Sequence, residues 1–356
     1  MITFGIVGTG WRTEFFLRIA RACSDRFNVT GLVTRDPARS ADVGKRFGVP
    51  LFVSPEDLIA AGRPQFMVTS VPWTVNPGVL KHLASLDMPV LSETPPATTV
   101  EEMIELYELV EQGATIQVAE QYWAQPHHLA RIRFAHSGKL GKISQAQVSA
   151  AHGYHGISLM RRYLGIGYEE AEISAVEFAS QIVKGRDRTG YPDSECIVES
   201  KQLIARFQFG DRLGVFDFSG DQYFSHIRNQ RLLVRGERGE IIDDKAVYLQ
   251  DHTTPIPVTF QRRDTGHEGD LEGHYLKGIV AGEDWIYENP IAPGELSDDE
   301  IAIGTCLIKM AEHVDGREPV YSLQEACQDR YLDILMHEAA ETGKIIRSER
   351  QPWASW

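Results

Sequence analysis

The sequence predicts an α/β domain followed by an α+β domain with an open-faced, mostly antiparallel β-sheet. Three observations support this. Short, fully apolar runs alternate with helical stretches over residues 1–120. Period-two alternation replaces that pattern over residues 121–356. A strand ending in Gly-x-Gly stands at the very start of the chain.

The apolar runs of the first part are Ile2–Val7, Val29–Val33, Phe66–Val71, Val90–Leu91 and Ile116–Val118. They are short, rich in β-branched residues and not strictly alternating, as expected of strands buried on both faces. Helix starts lie between them. Ser54-Pro55-Glu56-Asp57 places proline in the first turn, and Thr99-Val100-Glu101-Glu102 has the spacing of a capping box. Strand–helix–strand alternation predicts a parallel sheet with right-handed crossovers.

In the second part, Leu203, Ala205, Phe207 and Phe209 share one face of a strand while Gln202, Arg206 and Gln208 share the other. Gly210-Asp211 turns the chain into Leu213–Phe218, and Leu232–Val234 pairs with Ile241–Ile242 across Gly236-Glu237-Arg238-Gly239. Ser297-Asp298-Asp299-Glu300 and Ser322-Leu323-Gln324-Glu325 predict two late helices, the first striped by Ile303, Leu307, Met310 and Val314. Asp251 to Gly273, rich in Pro, Thr, Gly and charge, reads as a long loop. The aromatic content of Phe207, Phe209, Phe216 and Phe218 predicts a covered sheet face, and with it a homodimer or homotetramer.

With 356 residues, 42% of them hydrophobic and 24% charged, the chain is long enough for two cores. A net charge of −14 argues against nucleic acid as a partner. No apolar run approaches a membrane span, no signal peptide is evident, and the four cysteines form no metal or redox motif. A cytoplasmic, reduced protein without a bound metal is the expectation.

The most informative segment is Phe4-Gly5-Ile6-Val7-Gly8-Thr9-Gly10-Trp11-Arg12-Thr13. Gly8 permits the tight turn, Gly10 admits a pyrophosphate, and the next helix start supplies free N–H groups; Thr13 replaces the third glycine of the fingerprint. This is a Rossmann dinucleotide site, with Thr9, Trp11 and Arg12 in the loop. The second strand ends in Thr34-Arg35-Asp36, with threonine where an acidic ribose ligand is usual. Arg35 suits an adenine face or a 2′-phosphate, so the expected cofactor is NAD or NADP.

With these segments the chain resembles the Gfo/Idh/MocA oxidoreductase family over nearly its whole length. Ser70-Val71-Pro72 lies where that family has a cofactor loop, and Glu93-Thr94-Pro95 where it has Glu-Lys-Pro. Ser137–Ile143 and Val234–Glu240 match further segments, and Gly153-Tyr154-His155-Gly156-Ile157-Ser158 resembles Gly-x-His-x-x-Asp. The resemblance implies that Ser70, Val71, Pro72, Glu93 and Thr94 line the cofactor and that His155 is the catalytic histidine. Thr94 and Ser158 fall on the family's lysine and aspartate.

Three readings follow. The first is an NAD(P)-dependent oxidoreductase acting on a secondary hydroxyl of a sugar, inositol or related polyol. The second is a redox-assisted glycosidase or lyase that recycles its cofactor internally. The third is a catalytically silent nucleotide-binding sensor or partner. His155 is the expected base, with Tyr154 and Tyr122 as proton-bearing neighbours. His152, if on one strand with His155, would face the opposite side. Gln121 is placed beside the cofactor and Trp123 beside the substrate, because ligands bind at the carboxyl ends of such strands; Asp221 and Tyr223 of the second domain are placed beside the substrate because aromatic faces next to carboxylates suit a polyhydroxylated ring.

Overall fold

The computed structural model describes residues 1–354. The N-terminal domain runs β1 (Ile2–Val7), α1 (Thr13–Ala22), β2 (Phe27–Val33), α2 (Ala41–Phe47), β3 (Leu51–Phe52), α3 (Pro55–Gly62), β4 (Phe66–Thr69), α4 (Asn76–Ser85), β5 (Val90–Ser92), α5 (Val100–Glu111) and β6 (Ile116–Val118). Its six strands are all parallel, in the order β3-β2-β1-β4-β5-β6. The order reverses between β1 and β4, and this switch point opens the crevice in which α/β sheets bind ligands. The five predicted strands are present, and β3 adds a sixth, two-residue edge too short to show in a pattern. Ser54 caps α3, and Thr99 with Glu102 forms the full capping box of α5.

The second part runs α6 (Pro126–Ala135), β7 (Ile143–Ser149), α7 (Gly153–Leu164), β8 (Glu172–Val183), β9 (Ile197–Phe209), β10 (Arg212–Ser219), β11 (Arg231–Gly236), β12 (Gly239–Ile242), β13 (Lys245–Leu249), β14 (Pro255–Thr265), β15 (Tyr275–Ala281), β16 (Asp284–Glu288), α8 (Asp298–Val314), α9 (Leu323–Thr342) and β17 (Ile346–Arg347). Eleven strands form one sheet, antiparallel throughout except where β7 and β10 run side by side.

Two expectations need correction. Asp251 to Gly273 is not one loop, because β14 occupies its middle and pairs with both β13 and β15. Ile256, Val258 and Phe260 alternate inward there, and Phe260 meets Phe134 of α6 edge-on at 5.3 Å. Pro255, Pro257 and the polar flanks mask that alternation in the sequence. Phe207, Phe209, Phe216 and Phe218 do not form an outer face. They are buried within the protomer, and a Cβ on Gly156 of α7 would lie 2.6 Å from the Phe216 ring.

Ser297 and Glu300 form the reciprocal box of α8. Ser322 caps α9, but Glu325 turns to Arg162 at 3.0 Å instead of back to the cap. Ile303, Leu307 and Met310 are fully buried, and α8 reaches past its own domain to pack on α1, β1 and β4. Among the described residues no helix is long and apolar enough to cross a membrane.

Candidate active site

The turn after β1 is built for close approach. Gly8 has φ +111°, and a Cβ there would lie 2.1 Å from the Ser70 carbonyl oxygen. The Gly8 N–H donates to Val33 at 2.9 Å, and the Ser70 N–H donates to Val7 at 2.8 Å. The loop is therefore pinned between β2 and β4. The side-chain direction of Gly10, by contrast, is open to 4.0 Å. No side chain caps the start of α1; the Thr13 and Phe15 N–H groups donate to the Gly10 and Arg12 carbonyls at 3.0 and 3.1 Å, and the positive end of the helix dipole lies at this loop. Thr13 is buried and donates to the Gly8 carbonyl at 3.1 Å, closing the turn where a third glycine is usual. An open cradle under an uncapped helix start fits a pyrophosphate.

At the end of β2 the Thr34 and Ser40 hydroxyls lie 3.0 Å apart, and Ser40 reaches the Thr9 hydroxyl at 3.3 Å. Arg35 is exposed. Asp36 turns its carboxylate onto the Arg39 N–H at 3.1 Å, an Asx turn that takes this charge away from the ribose position. Val71 and the exposed Pro72 lead from Ser70 into the turn before α4.

Arg12 is held from three sides. Asp299 of α8 lies 3.1 Å away, Glu93 lies 3.7 Å away, and the Gln121 amide oxygen accepts from it at 3.1 Å in the orientation that satisfies both amide groups. Burial pushes the Glu93 carboxyl up to about 7, against the pull of Arg12. Arg12 thus positions the glycine loop by joining it to β5, β6 and α8.

The proton-bearing groups gather at the start of α7. His152 is not on a strand with His155. It is the N-cap residue of α7, and the two rings lie 4.9 Å apart. Gly153, with φ +43°, makes that abrupt entry possible and has no room for a Cβ beside Asp333. His155 Nδ1 lies 2.6 Å from Glu120 Oε2, and both side chains are buried. Burial pushes Glu120 up to about 8 and holds His155 down to about 3, so ionising both partners is disfavoured. When Nδ1–H donates to the carboxylate, Nε2 is left as the acceptor.

The Tyr122 ring lies 4.5 Å from His155. The Tyr122 hydroxyl donates to the Tyr223 hydroxyl at 3.2 Å. Tyr223 in turn accepts the His152 backbone N–H at 3.0 Å and lies 2.7 Å from its Nδ1. Tyr154 shares a hydrogen bond with Thr94, and burial raises its phenol above the ordinary range. The half-exposed Trp73 meets Tyr154 edge-on at 6.3 Å.

Two residues expected beside the substrate lie elsewhere. Trp123 is buried under the Arg162 guanidinium, 5.3 Å from it, with its Nε1 unpartnered. Asp221 accepts from the hydroxyls of Ser200 and Ser219, so its carboxylate is consumed by β9 and β10. Ser158 is fully buried against the Tyr321 hydroxyl at 2.9 Å, and Tyr321 leads on to Asp329 and Arg161. Glu120, His152 and Asp299 enter the site unforeseen. Glu120 alone carried a sequence signal, its place at the carboxyl end of β6. No group of three or more His, Cys, Asp and Glu side chains among the described residues is arranged to hold a metal.

Residues 2–120 match the model of a family described as oxidoreductase, with an NAD-binding Rossmann fold. No curated protein sequence matches the chain. Among solved structures, a levoglucosan dehydrogenase complexed with NADH and levoglucosan aligns at TM-score 0.69 and 17% identity, over 97% of this chain and 99% of that one. An Agrobacterium radiobacter oxidoreductase complexed with NAD+, L-tartaric acid and magnesium aligns at TM-score 0.67 and 15% identity, over 97% and 98%. A Chromobacterium violaceum WlbA dehydrogenase complexed with NADH and UDP-GlcNAcA aligns at TM-score 0.63 and 15% identity, over 98% and 96%. At these identities the likeness establishes a shared fold.

Proposed function

We propose, from the match of residues 2–120 to the Gfo/Idh/MocA oxidoreductase family model, that the chain oxidises a secondary hydroxyl of a sugar, inositol or related polyol. The observation that carries this reading is the buried Glu120–His155 hydrogen bond at 2.6 Å, set at the carboxyl ends of the parallel strands beside the glycine loop. Solved neighbours bind levoglucosan and UDP-GlcNAcA, which agrees with a carbohydrate-like substrate.

When bound, the nicotinamide supplies the hydride acceptor. The rest falls to the chain. Glu120 fixes the His155 tautomer, and Nε2 takes the hydroxyl proton. The lysine that stabilises the reacting oxygen in relatives is Thr94 here, and Thr94 instead holds the Tyr154 phenol. Tyr154 then supplies the hydrogen bond to that oxygen, without the lysine's charge. His152, Tyr223 and Tyr122 form the neighbouring hydroxyl network through which protons equilibrate.

The test is turnover on a panel of sugars, polyols and glycosides, following nicotinamide absorbance and product together. Stoichiometric NADH formation supports the proposal. Cleavage of a glycoside with no net change in NADH replaces it with the redox-assisted reading.

The ribose end carries its own prediction. Because Thr34 stands where an acidic ligand is usual and Asp36 is turned away, Thr34→Asp is expected to strengthen NADH and weaken NADPH. The shift is about tenfold in their affinity ratio, the scale of one charge-assisted hydrogen bond. Calorimetry with both nucleotides measures it, and an unchanged ratio places the 2′-position elsewhere.

Homo-oligomerisation is part of the same reading. Val176, Phe178 and Ile204 share the outer face of β8 and β9 and are 57%, 56% and 36% exposed. An apolar strip of this kind marks a covered surface. Phe178→Asp is expected to shift a homodimer or homotetramer towards monomer in light scattering. A monomeric parent protein refutes this.

A further inference from the structure

The hairpin of β8 and β9 pairs without interruption along its length and ends by carrying residues 185–195 to the glycine loop of the other domain. At its tip Asp187 and Gly190 close a tight turn through two backbone hydrogen bonds of 2.9 and 3.2 Å. The Asp187 carboxylate fixes that turn by accepting the Thr189 N–H at 2.8 Å and hydroxyl at 2.6 Å. The arm is braced behind the turn. A Cβ on Gly185 would lie 3.2 Å from the Ser225 backbone, and the Tyr191 hydroxyl meets His226 Nε2 at 2.7 Å.

The residue this turn presents is Arg188. Its guanidinium lies 4.0 Å from the centroid of the Trp11 ring, directly after Gly10, and Trp11 is itself half-exposed. Among the described residues it has no carboxylate partner. That sets it apart from Arg12, which touches the same indole at 4.9 Å but is spent on Glu93 and Asp299. The charge of Arg188 is also felt at His152, whose imidazole is held down by burial first and then by its neighbours His155, Arg12 and Arg188. An unpaired guanidinium therefore stands at the rim of the cleft on a fixed turn, between the glycine loop and the histidines. In a chain with net charge −14, such a group is an anion receptor.

We propose that Arg188 is a substrate-binding residue that selects a polyol carrying an anionic group, a carboxylate or a phosphate monoester. The proposal rests on the oxidoreductase reading above and narrows its substrate class. The pyrophosphate of the cofactor is not the expected partner, because the open cradle at Gly10 and the uncapped start of α1 already serve it. Stacking on Trp11 leaves the guanidinium edge free to bind an oxyanion in bidentate fashion.

The test is calorimetry on the NADH-loaded protein with glucuronate and glucose 6-phosphate, each against glucose, together with NADH affinity of the protein alone. The acid or the phosphate should bind more tightly than glucose, and Arg188→Ala should remove that advantage, roughly 10–100-fold, while NADH affinity stays unchanged. Which of the two anions gains more identifies the group recognised. If glucose binds as well as both anions, the assignment of Arg188 is wrong and the oxidoreductase reading stands. If Arg188→Ala weakens NADH and leaves sugar discrimination intact, the arm holds the cofactor and the proposal is overturned. If none of the three sugars binds, the polyol reading falls and takes this proposal with it.

Discussion

His155→Ala is expected to lower turnover on any accepted substrate by about 10²–10⁴-fold, the usual cost of removing a positioned general base. Dinucleotide affinity and folding should stay close to those of the parent, because the imidazole touches neither the glycine loop nor a strand ladder. His155→Asn should lose as much, since an amide keeps a hydrogen bond to Glu120 but accepts no proton at the Nε2 position. Glu120→Gln separates orientation from charge. It preserves an acceptor for Nδ1–H and removes the carboxylate that stabilises the imidazolium, so kcat should fall with KM little changed. The measurement is steady-state turnover beside dinucleotide titration for all three variants. Wild-type turnover in His155→Ala removes the histidine from the mechanism and leaves Tyr154 and Tyr122 as candidates.

Gly10→Asp is expected to abolish measurable dinucleotide binding in a folded protein. The two glycines of the loop differ in kind. Gly8 is required by the fold itself, because φ +111° and a Cβ contact of 2.1 Å leave no place for a side chain. Gly10 has open space in its side-chain direction, so a larger residue is tolerated by the protein and excluded only by a ligand. An aspartate there would put a carboxylate against the pyrophosphate. Like charges 4 Å apart near a protein surface repel by about 4 kcal/mol, which is about a thousandfold in affinity for each facing charge. Calorimetry with NADH, alongside a melting curve to show that folding is kept, decides it. Unchanged affinity in the folded variant means that the dinucleotide lies elsewhere.

What the sequence disclosed follows from the range of the interactions concerned. Thr99 with Glu102 and Ser297 with Glu300 act on neighbours three positions away, and the Gly-x-Gly spacing of Gly8 and Gly10 is itself a local pattern, so these roles are written in adjacent letters. The partner of His155 is not. Glu120 lies 35 positions upstream, and only the packing of α7 against the end of β6 brings the two together. Asp299, 287 positions from Arg12, is further still from anything a local pattern encodes. Asp221 misled in part for the same reason, since one of the two serines that occupy it, Ser200, lies 21 positions upstream on β9, while the other, Ser219, is only two positions away. His152 misled because Gly153 disguises a helix start as the end of a strand. The extended run at β14 was hidden by prolines that an antiparallel pairing tolerates where their missing N–H is not needed.

The docking of α8 on α1, β1 and β4 has a consequence for how the chain is made. Gly304 of α8 lies so close to α1 that a Cβ there would sit 3.3 Å from Ile19 and 2.4 Å from Ile291. The helix that completes the cover of the first domain, Asp298–Val314, thus leaves the ribosome long after that domain's last strand, Ile116–Val118. From the end of the first domain to the end of α8 a ribosome needs roughly 10–40 s at about 5–20 residues per second. Throughout that interval the nascent first domain carries an uncovered apolar face. A chain released before α8 is complete would expose that face permanently, so truncated translation products of this protein are natural clients for chaperones and proteases.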